Sequence, residues 1–131
     1  MREGPAIAIR REDYAPTAFR IRSVELTFDL DPAKTIVASR MVVERAPDTP
    51  VDRPLRLRGE ALTLLRVLAD GESVSFRHDA GDLVIDAPPP APTFTLEIRN
   101  AIAPEKNTEL SGLYTSSGGF YTQCEAEGFR R

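Results

Sequence analysis

The sequence predicts an all-β fold, an antiparallel β-sandwich-like domain, and three observations carry that expectation. Apolar and polar residues alternate with a period of two through much of the chain. Gly, Pro, Asn and Asp signals break the alternation at short intervals, leaving room for about eight to ten strands. No stretch combines a helical period with caps at its ends.

Taken in order, Met1 to Pro16 mixes charges with two prolines and reads as a leader over the surface. Its Tyr14-Ala15-Pro16 is extended, because a residue before proline is pushed out of the helical region. From Phe19 the period is two. Phe19 and Ile21 share one parity, while Val24, Leu26, Phe28 and Leu30 share the other, so a bulge or bend is expected near Arg22-Ser23. Asp31-Pro32-Ala33-Lys34 supplies a turn. Thr35 to Glu44 has apolar residues on both parities: Ile36, Ala38 and Val42 against Val37, Met41 and Val43. Periodicity alone admits a helix there. The Val, Ile and Thr content and the lack of caps favour a strand, covered on both sides.

Ala46 to Pro54 holds three prolines and reads as a loop, followed by a short strand through Leu55 and Leu57 that ends at Gly59. Leu62 to Leu68 could pass for a helix. The Asp70-Gly71 turn signal and the alternation of Ser73-Val74-Ser75-Phe76 make it one arm of a hairpin instead. Ala80-Gly81 turns the chain into Leu83-Val84-Ile85, and Pro88 to Pro92 is a stiff extended connection. In Thr93 to Arg99, Phe94, Leu96 and Ile98 face inward. Ser116-Ser117-Gly118-Gly119 closes a last hairpin between Leu113-Tyr114 and Phe120-Tyr121. The expected core is Phe28, Ile36, Val42, Leu57, Leu64, Val67, Phe76, Ile85, Phe94, Leu96 and Ile98.

Composition narrows the function classes. At 131 residues the chain is one domain, able to bury a core without disulfides or metal. A net charge of −3 gives no basic footprint for nucleic acid or an anionic membrane. One cysteine excludes an internal disulfide and fits a reducing compartment, and no apolar run is long enough to span a bilayer. The expectation is a soluble, cytoplasmic domain. His78 and Cys124 are the only His and Cys, so a His-rich zinc site cannot be assembled from this chain.

The closing run, Tyr121 to Arg131, holds the candidate site. On a strand Tyr121, Gln123 and Glu125 share one face, with the amide and the carboxylate about 7 Å apart. By itself that pattern is usually an ordinary solvated edge rather than a binding site. Cys124 has no second Cys or nearby His to activate it and reads as a buried, inert thiol. His78 beside Asp79 reads as a solvated turn residue, and Arg53, Arg56, Arg58 and Arg66 as a solvated face.

Asn107-Thr108-Glu109-Leu110-Ser111-Gly112-Leu113-Tyr114, then Thr122-Gln123-Cys124-Glu125-Ala126-Glu127-Gly128-Phe129-Arg130, resembles bacterial aminopeptidase N, a zinc metalloaminopeptidase, at the end of its N-terminal β-domain. The resemblance extends back through Leu55 to Glu60 and Leu26 to Asp31 to Tyr14-Ala15-Pro16. It implies a sandwich-like domain in which Glu125 reaches into the catalytic cleft and helps hold the substrate's α-ammonium. Gln123 would line the pocket for the first side chain. The family's His-Glu-x-x-His and Gly-x-Met-x-Asn segments are absent. The resemblance therefore implies a fragment, inactive alone and binding no metal, whose zinc and partner catalytic domain belong to a longer parent.

The boundaries expected on that basis are a leader at 1–16, the β-sandwich at 17–125 and the start of a link at 126–131. Without its partner domain, apolar side chains near the C-terminal end (Phe120, Tyr121, Phe129) are expected to stand uncovered. The alternative is a free-standing β-sandwich module for a protein or carbohydrate partner. The absence of Trp argues against a sugar platform.

Overall fold

The computed structural model describes residues 10–13 and 15–124. Apart from two short 3-10 helices, Arg11–Asp13 and Pro104–Lys106, the regular structure among them is β. The strands are β1 (Phe19–Asp29), β2 (Thr35–Arg45), β3 (Leu55–Leu57), β4 (Thr63–Ala69), β5 (Glu72–Ser73), β6 (Arg77–Asp79), β7 (Asp82–Ile85), β8 (Thr93–Ile102), β9 (Gly112–Ser116) and β10 (Gly119–Gln123). They form a five-stranded sheet in the order β1-β2-β8-β4-β5, a three-stranded sheet β3-β7-β6 and a ribbon β10-β9. Every pairing is antiparallel.

β1 and β2 form the long hairpin that the alternation predicts. Their register shifts between Ile21 and Ser23, so Arg22 is the extra residue and Ile21 and Val24 fall on one face. The turn is set by short polar side chains. Asp31 Oδ1 accepts from the amides of Ala33 (2.9 Å) and Lys34 (3.0 Å). The fully buried Thr35 hydroxyl donates to Asp31 O at 2.8 Å.

In β2 the inward parity is the odd one. Val37 and Val43 are buried, whereas Ile36 and Val42, expected in the core, are only half-buried on the opposite face. The neighbour decides this. Val43 lies opposite Phe94 and Met41 opposite Leu96, and residues opposite one another share a face.

β4 is a strand, and Asp70-Gly71 turns it back with both residues at positive φ (49° and 81°), the combination that favours Gly in such two-residue turns. Asp70 Oδ1 also accepts from the Thr95 amide at 2.9 Å, tying the turn to β8. The returning arm is shorter than expected: β5 pairs only Ser73 and Glu72 with β4. The chain then crosses to the smaller sheet. Phe76, expected in the core, lies in that crossing, largely exposed with its edge toward the His78 ring.

The two larger sheets face each other across one cluster: Val43, Leu55, Val67, Leu83, Ile85, Phe94 and Leu96, with Leu57, Leu64, Met41, Val74, Ile98 and Phe19 against it. At one end Arg45 closes the cluster. Its guanidinium donates to Pro50 O (3.0 Å) and Pro89 O (2.8 Å) and lies 5.0 Å from the Phe19 ring centroid. The two proline-rich stretches are thereby fastened together. Phe28 is the other departure from the expected core: it faces the same way as Val37 but is exposed, because the smaller sheet does not extend over β1.

Candidate functional site

The ribbon β9–β10 carries Gln123, one of the two site residues inferred from sequence. Its turn, Ser117-Gly118, has positive φ at both residues (50° and 80°), as the Ser/Gly run predicts. In register, Tyr121 lies opposite Tyr114 and Gln123 opposite Gly112. The two tyrosine rings stack with centroids 5.8 Å apart. A Cβ on Gly119 would meet the Tyr121 ring at 3.1 Å, so glycine lets that ring lie flat along the ribbon. Gln123 is exposed at the end of the ladder, on the face it shares with Tyr121.

Opposite Gln123, Gly112 has φ +76° and nothing within 4 Å of where a Cβ would stand. The space beside it opens into a hollow of about 540 Å³ between the turn Glu60-Ala61-Leu62, the end of β8 and the loop from Asn107 to Gly112. Asn107 holds that loop in place, its side-chain amide donating to Ser111 O and Leu113 O, both at 2.8 Å. Both walls contain a non-glycine residue in the left-handed region, Ala61 (φ 55°) and Leu110 (φ 56°). Such strain costs about 1–3 kcal/mol per residue and persists only where surrounding structure imposes it. The hollow is mixed in chemistry, with Glu60, Glu109 and Lys106 beside Leu62 and Ile102.

The structure thus pairs Gln123 with Gly112, which lines the recess, while Gln123 itself is not among the lining residues and Glu125 lies outside the described residues. Sequence reasoning missed the recess. The Asn107–Gly112 signal was present, since an Asn followed by Ser-Gly marks a side-chain-braced turn. Its counterpart across the hollow, Glu60 to Leu62, carries no comparable signature.

Cys124 corrects another expectation: it is exposed, because it follows the last residue of a ribbon that is not sandwiched between the sheets. His78 is exposed, as expected, but lies on strand β6 opposite Leu83 rather than in a turn. Arg56 is solvated but ion-paired, with Asp79 and, at 3.5 Å, Asp82. Among the described residues no group of three or more His, Cys, Asp or Glu could hold a metal ion.

Solved structures share this arrangement. The chain superposes on Legionella pneumophila aminopeptidase A in complex with aspartic acid with a TM-score of 0.78 at 26% identity, over 92% of this chain and 14% of that one. It shares the fold of an M1 zinc metallopeptidase from Deinococcus radiodurans bound to a Tyr-Ser-Ala substrate (TM-score 0.68, 17% identity, 86% of this chain and 28% of that one). No family model matches the chain. The fold is that of the N-terminal domain of M1 aminopeptidases.

Within that class the chain is similar along nearly its whole length to bacterial aminopeptidase N. It is 44% identical over 121 residues to aminopeptidase N of Escherichia coli (strain K12), covering 92% of this chain and 13% of that protein. With aminopeptidase N of Caulobacter vibrioides it is 40% identical over 133 residues, covering 99% of this chain and 15% of that protein. The chain therefore spans only a small part of the length of the relatives it matches.

Proposed function

We propose that this chain is the N-terminal β-domain of a zinc-dependent aminopeptidase, one that removes N-terminal amino acids from peptides. Its organisation in that reading is a leader at 1–16, the β-domain at 17–125 and the beginning of a link to the catalytic domain at 126–131. The observation that carries the reading is identity of 40–44% with aminopeptidase N across nearly every residue of this chain.

The domain forms one wall of the substrate cleft. Glu125 accepts hydrogen bonds from the peptide's α-ammonium, and Gln123 borders the space for the first side chain. An ammonium offers three donors, and a carboxylate in a partly desolvated cleft makes charge-assisted bonds with it. A blocked N-terminus would leave that carboxylate unpaired, which accounts for selectivity toward free amino ends. The pairing of Gln123 with Gly112, a residue of the hollow's lining, supports its part in this reading. Zinc, held by residues of the longer polypeptide, supplies the hydrolytic chemistry. A cytoplasmic location is consistent with a single, exposed free cysteine. Among the described residues no helix is long and apolar enough to cross a membrane.

The test is kinetic. In the longer polypeptide that contains this chain, Glu125→Ala is expected to cut kcat/KM on aminoacyl anilides by about 2–5 kcal/mol in transition-state terms, the cost of removing one partner of a desolvated charge pair. Gln123→Ala should act more mildly and change which N-terminal side chain is preferred. Wild-type efficiency of Glu125→Ala on every anilide would remove the residue from the site.

A further inference from the structure

The face of the larger sheet turned away from the core is crossed by two rows, Thr27-Ala38-Arg99-Arg66 and Glu25-Arg40-Glu97-Leu68. Arg99 and Glu97 point outward because Leu96 and Ile98, with which they alternate in β8, pack into the core cluster. In the second row the charges alternate. Arg40 stands between Glu25 and Glu97, with its Nε 3.9 Å from Glu97 Oε1. In the first row they do not. Arg66 and Arg99 lie directly opposite one another, both exposed, and neither guanidinium has a hydrogen-bond or ion-pair partner among the described residues. Like charges placed opposite each other repel.

A bulge creates this pair. Leu64 is opposite Asn100 and Arg66 is opposite Arg99, so Leu65 is an extra residue in β4. In an unbroken register Leu65 would face Arg99, and Arg66 would fall opposite Ile98 on the core side. The inserted residue thus re-aims Arg66 and sets a second guanidinium beside the first. Next to the pair a hollow of about 300 Å³ opens, with Thr27, Ala38 and Arg40 in its lining together with both arginines. The room comes from Ala38, whose methyl group stands between Thr27 and Arg99 in the row. Such a volume is at the small end of ligand sites.

We propose that Arg66 and Arg99, with the hollow beside them, bind a small phosphate anion, either inorganic phosphate or a short phosphate monoester. The chemistry of the pair selects that class. Each guanidinium presents its donors in a planar fork that matches phosphate oxygens. A phosphate monoester brings about −1.5 to −2 of charge near neutral pH and three acceptor oxygens, enough to offset both arginines at once. A carboxylate brings a single charge and would leave part of the repulsion in place. The neighbouring row sets the size. Glu25 and Glu97 repel a ligand whose negative charge extends along the sheet, so a nucleic acid or an acidic peptide is disfavoured and one compact anion is preferred. The site goes beyond the aminopeptidase reading and does not draw on it.

The experiment is calorimetric titration of the longer polypeptide that contains this chain, at low and constant ionic strength, with inorganic phosphate and, separately, with glycerol phosphate. Saturable binding with a Kd of about 1 mM or tighter is expected for at least one probe, and the tighter of the two identifies the source. Arg66→Gln and Arg99→Gln should each weaken that binding at least about tenfold, the loss expected for charge-assisted hydrogen bonds. Ala38→Leu, which fills the hollow and leaves both arginines in place, should weaken it as well. Arg58→Gln removes an exposed arginine just beyond β3, outside the hollow, and should change nothing. No saturable binding of either probe overturns the proposal, as does binding that survives both Arg66→Gln and Arg99→Gln. An equal loss in Arg58→Gln also overturns it, since the anion would then be answering overall charge rather than this pair.

Discussion

β8 and β1 carry nearly the same message and meet opposite fates. Each alternates apolar and polar residues, and their apolar side chains lie on the same face of the same sheet. Yet Leu96 of β8 is completely buried, while Leu26 of β1 is among the most exposed large apolar residues described. Alternation records which face of a strand is apolar. It does not record whether another layer lies over that face, which depends on the width of the opposing sheet.

The largest effect that separates the two strands is a pair of truncations in this chain. Leu96→Ala is expected to cost about 2–5 kcal/mol, from lost transfer energy and a cavity that its neighbours cannot close. Leu26→Ala should stay within about 0.5 kcal/mol, as for surface substitutions generally. Urea unfolding of both variants measures the difference. A Leu26→Ala cost as large as that of Leu96→Ala would mean that β1 is already covered, and the contrast would collapse.

The same contrast separates what was legible in the sequence from what was not. Features set by neighbouring residues could be read: the bulge at Arg22 from the parity change, and the turns at Asp70-Gly71 and Ser117-Gly118 from their residue types. Features set by a distant partner could not. β2 is apolar on both parities, so only its register with β8 chose Val37 and Val43 over Ile36 and Val42. Phe28 and Phe76 have the residue type of core members, but one lies beyond the smaller sheet and the other in the crossing between sheets. At the candidate site, local spacing gave the face of Gln123. It could not give the hollow beside Gly112, whose walls are some fifty residues apart in the chain. Of the uncovered apolar surface expected at the C-terminal end, Tyr121 is half exposed and stacked on Tyr114, Phe120 is partly covered, and Phe129 lies outside the described residues. The longer strip is on β1.

A smaller effect sharpens the comparison within β1. At its Phe19 end the strand is capped, since Phe19 lies opposite Arg45 and its ring lies close to the guanidinium. Arg45→Met would leave the Pro89 carbonyl without its donor, take from the Pro50 carbonyl one of its two (the Arg53 amide, at 3.1 Å, remains) and loosen both proline-rich loops. The expected cost is about 1–3 kcal/mol, set chiefly by the orphaned Pro89 carbonyl. Arg45→Lys should recover only part of it, because a single ammonium on a flexible stem cannot reproduce the planar fork that reaches both carbonyls. Full recovery by lysine would reduce the interaction to simple charge.

The smallest effect is at the opposite margin of the smaller sheet, where solvated ion pairs replace burial. Arg77 donates from Nε to Asp86 Oδ2 at 2.8 Å and from a terminal nitrogen to Oδ1 at 3.2 Å. That hydrogen bonding lowers the Asp86 pKa below its ordinary 3.8 against an opposing effect of desolvation, and the charge of Arg77 adds a smaller downward push. Because the folded value is the depressed one, the pair stabilises the fold above the ordinary carboxylate pKa and its contribution is lost as pH falls through the lowered value. The Asp86→Asn variant should therefore have a slightly lower urea midpoint than wild type at neutral pH. The gap should close as the solution is acidified well below pH 3.8, where both side chains are neutral. Exposed pairs contribute little and are screened, so added salt should also narrow it. A gap that survives both acid and salt would show that Asp86 acts through packing, and the β6 margin would then resemble the covered centre of the sandwich more than its bare β1 edge.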